Sequence, residues 1–481
     1  MKKNKFKIKI SKFKIIFFFI FFYFFLSFFL LHSDLFFNLK KKIPTFIKDP
    51  IKKYVLYFPI KVREYINAVE RINIIEQNLN EIRYSILGIR SEILSGKFQR
   101  FELESENKIK FTFLKVFLPL GIFSQDYTAV KNQVANNNFI PKRSGYIELF
   151  KDQIIIVFWS GKVVTLNVKD LLDILNSQSI KSENILIKNI LNNLDKFLNR
   201  SEDKFIGIKD ILIYQDYLYA SYTKTVESDC INTSILRSSL NNFQSGELFF
   251  EEFFTYPQCS KTRNGGYQSG GRMEILDKKL YLTIGDFQDF DVAQKKDSFF
   301  GKIISLDLED KSIKIISMGH RNPQGLLLIK DKNILIETEH GQNGGDEINV
   351  IDLKRKDILN FGWPISSYSD YYGYEDYEIR KKAPFYKSHS KYGFIEPIIY
   401  FTPSLGISQI VFTNSINNKN FIVSSLKNKS LYFVKFSEDF MNINVYDRLF
   451  LGERVRDIVV YNNYYLIFGE TTSALIMMKK N

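Results

Sequence analysis

Two arginines at alternate positions, Arg454 and Arg456 in "GERVRD", and the polar run "GHRNPQG" carrying His320, Arg321 and Asn322 are the groups in this chain best suited to hold an anion. Positions i and i+2 of a strand share a face, so the arginine pair can close on a dianionic ligand; exposed arginines at a strand start are the plainer alternative. A third run, "TEHGQNGGDEIN" over 338–349, offers Glu339, Asp346 and Glu347 as hard oxygen donors. It lacks the ligand spacing of an EF-hand, and a hairpin turn with solvated acids explains it equally. A fourth, "NGGYQSGGRM" over 264–273, has glycines that allow close backbone approach just before a strand. There are only four histidines. His32 lies at the boundary of an apolar run and His389 in a polar stretch, which leaves His320 and His340 for acid–base work or for bonding loop backbone.

These runs flank a unit that recurs six times after about residue 100: a polar turn, an apolar strand, a loop and a second apolar strand. "YQDYLYASYT" with "TSILRSSL", "LDKKLYLTIGD" with "GKIISLDL", and "IKDKNILIETEHG" with "DEINVIDL" are three of them. Each unit supplies the middle of a four-stranded blade, so the spacing predicts an all-β, six-bladed propeller over 101–481. A β-sandwich also has many short strands but no sixfold unit. In a propeller, strand ends from several blades converge on a central channel, where such polar loops meet.

The net charge of +14 sits almost wholly at the N-terminus, where residues 1–63 carry fifteen Lys or Arg against Asp34 and Asp49. The remainder is close to neutral and gives no electrostatic reason to bind nucleic acid. A basic cytoplasmic segment, 1–14, precedes 17 nearly uninterrupted apolar residues, Ile15 to Leu31, long enough to cross a bilayer core. With no small-x-small cleavage site after it, this run reads as a retained single-pass anchor in the cytoplasmic (inner) membrane, a cleaved signal peptide being the rival reading; in either case the rest lies in the periplasm or otherwise outside the cytoplasm. Residues 32–100 form a juxtamembrane segment and stalk; apolar positions at three-four spacing from Val62 to Ile93 predict a long helix. That helix either oligomerises the chain as a coiled coil or packs on the main domain. In an exported domain, Cys230 and Cys259 could form one disulfide; two unpaired buried thiols are the alternative.

Taken together, "GGRM", "YLTIGD", "GHRNPQGLLL", "TEHGQNGGDEINVI", "NFGWP" and "RVRD" resemble the glucose/sorbosone dehydrogenase family over about residues 140–480. These are quinoproteins that carry pyrroloquinoline quinone (PQQ) on a six-bladed propeller. The resemblance implies that Arg321 and Asn322 contact the quinone, with Lys427 of "SSLKNKS", Arg454 and Arg456 as further cofactor contacts. It also implies an active-site calcium held by backbone carbonyls, which fall on Gly341 and Gln342. The family's general base is a histidine four residues before the arginine of the "GR" strand, assisted by the aspartate of "GD". Those positions are Gln268 and Asp286. A glutamine amide is not basic at neutral pH, so the family's proton acceptor is replaced here.

Two functions follow from this pattern. One is a membrane-anchored, PQQ-dependent oxidoreductase that moves hydride from a sugar (aldose) or alcohol hydroxyl to PQQ and passes electrons to an external acceptor. The other is a non-catalytic propeller of the same family that binds a sugar, a quinone or a protein partner.

Overall fold

Two-residue turns with left-handed backbone at Lys151, Gln215, Asp277, Lys278 and Asn462 reverse the chain between alternating strands, the geometry that suits twisted antiparallel hairpins. The computed structural model describes residues 98–118, 144–177, 185–198, 206–227, 230–261, 266–373, 375–413 and 419–481. The expected anchor at 15–31 and the helix over 62–93 lie outside these residues. Among the described residues, no helix is long and apolar enough to cross a membrane.

Hairpins join into six sheets, each the blade of a propeller. The innermost strands, in chain order, are Gly145–Phe150, Ile208–Tyr214, Gly270–Leu276, Pro323–Ile329, Ile407–Phe412 and Val455–Tyr461, which define blades 1 to 6. The repeated unit read from the sequence corresponds to the second and third strands of each blade, such as Lys279–Ile284 with Lys302–Asp307 in blade 3. Blade 6 is completed from the other end of the chain: Lys110–Phe117 pairs with Ala474–Lys480, and Phe98–Glu104 lies outside it. Phe111 and Phe113 are fully buried at this closure, with Phe111 stacked 5.5 Å from Phe433 of blade 5. In blade 2, Cys230 and Cys259 are joined as a disulfide.

A long insertion in blade 4, between strands Asp346–Asp352 and Ile399–Phe401, carries "NFGWP" and a short helix, Tyr377–Lys382. Its first residues add a parallel strand, Leu359–Asn360, to the outer edge of blade 3, which returns Trp363 toward the channel.

The channel is tied across by Arg272, at the start of blade 3 and 3% exposed. Its Nη1 donates to Asp210 of blade 2 and to Asp457 of blade 6, both at 2.9 Å. Its Nε donates to the Gln324 carbonyl of blade 4, and its Nη2 to the Arg456 carbonyl, both at 2.7 Å. Asp457 also accepts from the Ile147 amide of blade 1, and the Arg456 carbonyl from Ser408 of blade 5. One guanidinium with its two carboxylates thereby reaches all six blades. Removing one partner of a buried ion cluster leaves the others uncompensated. Arg272→Met is expected to lower unfolding stability by about 3–5 kcal/mol, measured by denaturant titration against wild type.

Candidate functional site at the channel mouth

In an antiparallel hairpin the start of the first strand and the end of the second lie at the same edge, so residues just before the inner strands and just after the second strands converge on one face. Gln268, Arg321, Asn322 and Arg454 precede inner strands, while Asp286, His340 and Glu470 follow second strands. All belong to this face. Lys427 sits in the turn after Asn420–Ser425 of blade 5, at the same end, and is exposed.

The position that should carry a base is in contact with its expected helper. With its oxygen toward Arg321 and its nitrogen toward Asp286, the Gln268 amide donates to Asp286 Oδ1 at 2.7 Å and accepts from Arg321 Nη2 at 2.8 Å. Gln268 has φ of 52°, a left-handed conformation that costs a side-chain-bearing residue and persists only where its surroundings enforce it. The enforcement comes from Gly285: a Cβ there would lie 1.9 Å from the Gln268 carbonyl oxygen, so only glycine lets the two loops meet.

Asp286 is fully buried. Its Oδ2 accepts from Trp363 Nε1 at 2.8 Å and its Oδ1 from the Gln288 amide at 2.9 Å. Burial pushes its carboxyl up to about 7, against the opposing pull of Arg321 and these donors. Arg321 lies over the Trp363 ring, 5.4 Å from its centre, and its Nη1 donates to the carbonyls of His340 and Gly341 at 3.0 and 2.6 Å. Its backbone amide is held by Glu339 Oε2 at 2.7 Å.

A second chain of contacts runs from Asn322 to the arginine pair. Gln324 Nε2 donates to Asn322 Oδ1 at 2.9 Å, and Gln324 Oε1 accepts from Arg456 Nη1 at 2.7 Å. Arg456 and Arg454 both reach the fully buried carboxylate of Glu470, which also accepts from Ser144. The two arginines hold the Glu470 carboxyl below its ordinary range in spite of burial, so it stays ionised. They therefore share a face, as their spacing predicts, but with a carboxylate already between them. Lys209 of blade 2 adds a further cation; burial, then the nearby charge of Arg456, pulls its ammonium down to about 7. No side-chain hydrogen bond or ion pair joins Lys427 to this network among the described residues.

The acids of the third loop are not solvated: Glu339, Asp346 and Glu347 are all buried. Asp346 is saturated by donors, accepting from Ser404 and from the amides of Gly341, Leu405, Gly406 and Ile407. His340 is bonded through Nε2 to the Ile407 carbonyl at 2.6 Å, and burial lowers its imidazole below the ordinary range. Both residues fasten the loop to blade 5. His389, which its polar neighbours suggest is a surface residue, is buried with Nε2 3.3 Å from Glu347. Five contributors were not singled out in the sequence: Trp363, Gln324, Glu470, Tyr267 and Lys209. Trp363 lies in the quoted "NFGWP" and Gln324 in "GHRNPQG", so motif membership was their available signal. Glu470 is a lone acid with no pattern. Tyr267 is 41% exposed; burial and then the neighbouring Tyr372 push its hydroxyl up, against the smaller opposing pull of Arg321 and Arg454.

The model of the glucose/sorbosone dehydrogenase family matches residues 188–476. The chain is 27% identical to the aldose sugar dehydrogenase YliI of Escherichia coli (strain K12) over 285 residues, 54% of this chain and 73% of that protein. It is 33% identical to quinoprotein glucose dehydrogenase B of Acinetobacter calcoaceticus over 193 residues, 33% of this chain and 39% of that protein. Among solved structures, a glucose dehydrogenase superposes with a TM-score of 0.54 at 18% identity, covering 71% of this chain and 97% of the other. The apo form of the soluble aldose sugar dehydrogenase of Escherichia coli gives 0.53 at 18% identity, covering 70% and 95%. These two superpositions agree with the propeller fold. With the family model matched across more than half its length, the chain belongs to the glucose/sorbosone dehydrogenase family.

Proposed function

We propose that the channel mouth binds PQQ and that the protein is a membrane-anchored, exported dehydrogenase of sugars (aldoses) or alcohols, with Asp286 as the proton acceptor. The observation that carries this reading is the contact of Gln268 with both Asp286 and Arg321, which puts a carboxyl poised near 7 one amide away from a cofactor-binding guanidinium. A tricarboxylate fits the donor set. Arg321, Lys427, Arg454 and Arg456 outnumber Asp286 and Glu470 at this face, an excess of positive charge that an anion would relieve. Arg321 has five N–H donors, and those on Nη2 and Nε beyond the Gln268 contact remain for an anion.

When bound, PQQ supplies an ortho-quinone that accepts hydride. The chain's own part is to orient the quinone through Arg321 and Asn322, to offer the Tyr267 ring as a stacking face for a sugar, and to take the hydroxyl proton on Asp286. Electrons then leave to an external acceptor. Calcium has a poorer claim: the Gly341 carbonyl, one of its two expected ligands with Gln342, already accepts from Arg321 at 2.6 Å. A dication there would face a guanidinium across that oxygen, which opposes its binding.

A second reading, a propeller that binds without turnover, is favoured by one observation: the Gln268 amide covers the fully buried Asp286 and cannot itself take a proton. Reconstitution of the protein with PQQ separates the two. In stopped-flow spectra, aldoses or alcohols should reduce bound PQQ, and Arg321→Ala should abolish both binding and reduction; binding with no reduction by any sugar or alcohol leaves only the second reading.

Two further outcomes follow. Gln268→His places an imidazole between the same partners; with Asp286 already the base, the rate of PQQ reduction should stay within about 10-fold of wild type, and a rise of about 100-fold or more would show that the wild type works without a base. In the wild type, only ionised Asp286 accepts a proton, so the rate should rise with pH up to about 7 and level off above it. Stability runs the other way. A carboxyl raised in the folded state binds its proton there between its unfolded value and about 7, so its contribution falls as pH rises through that window. Asp286→Asn should make this slope shallower in a series of melting curves, Asp210 and Glu274, also raised to about 7 by burial, keeping the remainder.

A further inference from the structure

Next to the Arg321 backbone, three buried side chains present acceptor atoms to one another. His320 and Glu337 are fully buried and Glu339 is 4% exposed. Their potential ligand atoms all lie within 4.8 Å of one another. Glu337 and Glu339 stand two apart on the strand Ile334–Glu339 and so share a face. His320 Nδ1 is 3.1 Å from Glu339 Oε1 and 4.0 Å from Glu337 Oε2. Asn349, opposite Glu337 in the ladder, donates to both carboxylates at 3.1 Å.

We propose that His320 Nδ1, Glu337 and Glu339 bind one divalent first-row transition metal, with zinc the best fit, in a closed site under the loop that carries Arg321. Three observations point to an ion. First, Glu337 Oε1 and Asn349 Oδ1 are buried without a hydrogen-bond partner, and buried oxygens of this kind ordinarily have one. Second, the other ring nitrogen of His320 lies 2.8 Å from Ser317 Oγ. In the tautomer in which Nε2–H donates to that hydroxyl, Nδ1 turns its lone pair toward Glu339 Oε1 and can ligate an ion there. Third, among the described residues no Lys or Arg side chain pairs with Glu337 or Glu339, and the basic group beside them is the His320 imidazole.

One imidazole and two carboxylates suit zinc or a neighbouring metal. Bonds of about 2.0–2.1 Å at tetrahedral angles separate ligand atoms by about 3.3 Å, close to the spacing of Nδ1 and Glu339 Oε1. Calcium, which takes six to eight oxygens, finds too few here. Glu339 Oε2 accepts from the Arg321 backbone amide at 2.7 Å, so an ion on Oε1 would fix the base of the "GHRNPQG" loop. The site stands on its own residues and does not depend on PQQ binding.

The test uses full-length protein dialysed against a weak chelator and analysed for metals by mass spectrometry. One zinc, or another first-row dication, per chain is expected, with loss of the ion in Glu337→Gln, a variant that keeps the shape of the side chain. Substoichiometric metal in the wild type, or full retention in both Glu337→Gln and His320→Gln, overturns the proposal; in the first case a proton on Glu337 does the ion's work. Should the variants fail to fold, X-ray absorption of wild-type protein decides. A shell with one imidazole and carboxylate oxygens supports the site, and a sulfur or all-oxygen shell overturns it.

Discussion

Six blades can close into a ring only if something at the axis holds their inner edges in common register, and in this protein that is the Arg272 guanidinium. The hydrophobic faces between blades supply most of the burial, but they are pairwise and tolerate sliding. A planar cation with fixed donors does not. Because its bonds end on Asp210, Asp457 and the carbonyls of Gln324 and Arg456, a shift of blade 2, 4 or 6 relative to blade 3 breaks a charge-assisted bond in a dry interior. The same bonds set the site. Arg456 is anchored through its carbonyl to Arg272 and through its side chain to Glu470 and Gln324. The candidate cofactor groups are thus continuous with the axis of the fold.

The fold was legible because its signal is periodic. Alternating apolar runs and turn residues mark strands, and six repeats of the unit mark blades; the structure places those repeats at the second and third strands, the most buried part of each sheet. Closure was not legible. Phe98–Glu104 and Lys110–Phe117 lie ahead of the first repeated unit, and nothing local says that they add to blade 6, more than 350 residues away. Long-range pairing depends on the shape of the assembled ring, which short-range pattern does not encode.

The site was legible in its motifs and not in its charge balance. Arg321, Asn322, Arg454, Arg456, Gln268 and Asp286 all come to one face, the first five through their places at strand starts and Asp286 at a strand end. Burial and pairing could not be read. Glu339, Asp346 and Glu347 look like solvated turn acids, yet each is buried and fastened to a partner; His389 looks like a surface residue and is packed against Glu347. Glu470 shows why: it sits in no pattern, and its importance exists only because two arginines from the neighbouring strand arrive on either side of it.

The substitution at position 268 can now be weighed in physical terms. An amide reproduces the hydrogen-bonding role of a neutral imidazole, donating to a carboxylate on one side and accepting from a guanidinium on the other, so Asp286 and Arg321 keep their places. What the amide cannot reproduce is titration. The proton affinity that an imidazole would bring has not vanished from the site, however, because burial lifts Asp286 into the same range of pH. Geometry and proton affinity have been separated onto adjacent residues, with the amide holding the position and the carboxyl holding the basicity. Whether hydride chemistry survives then turns on one distance, that between a substrate hydroxyl and an Asp286 oxygen behind Gln268, and no longer on whether a base is present.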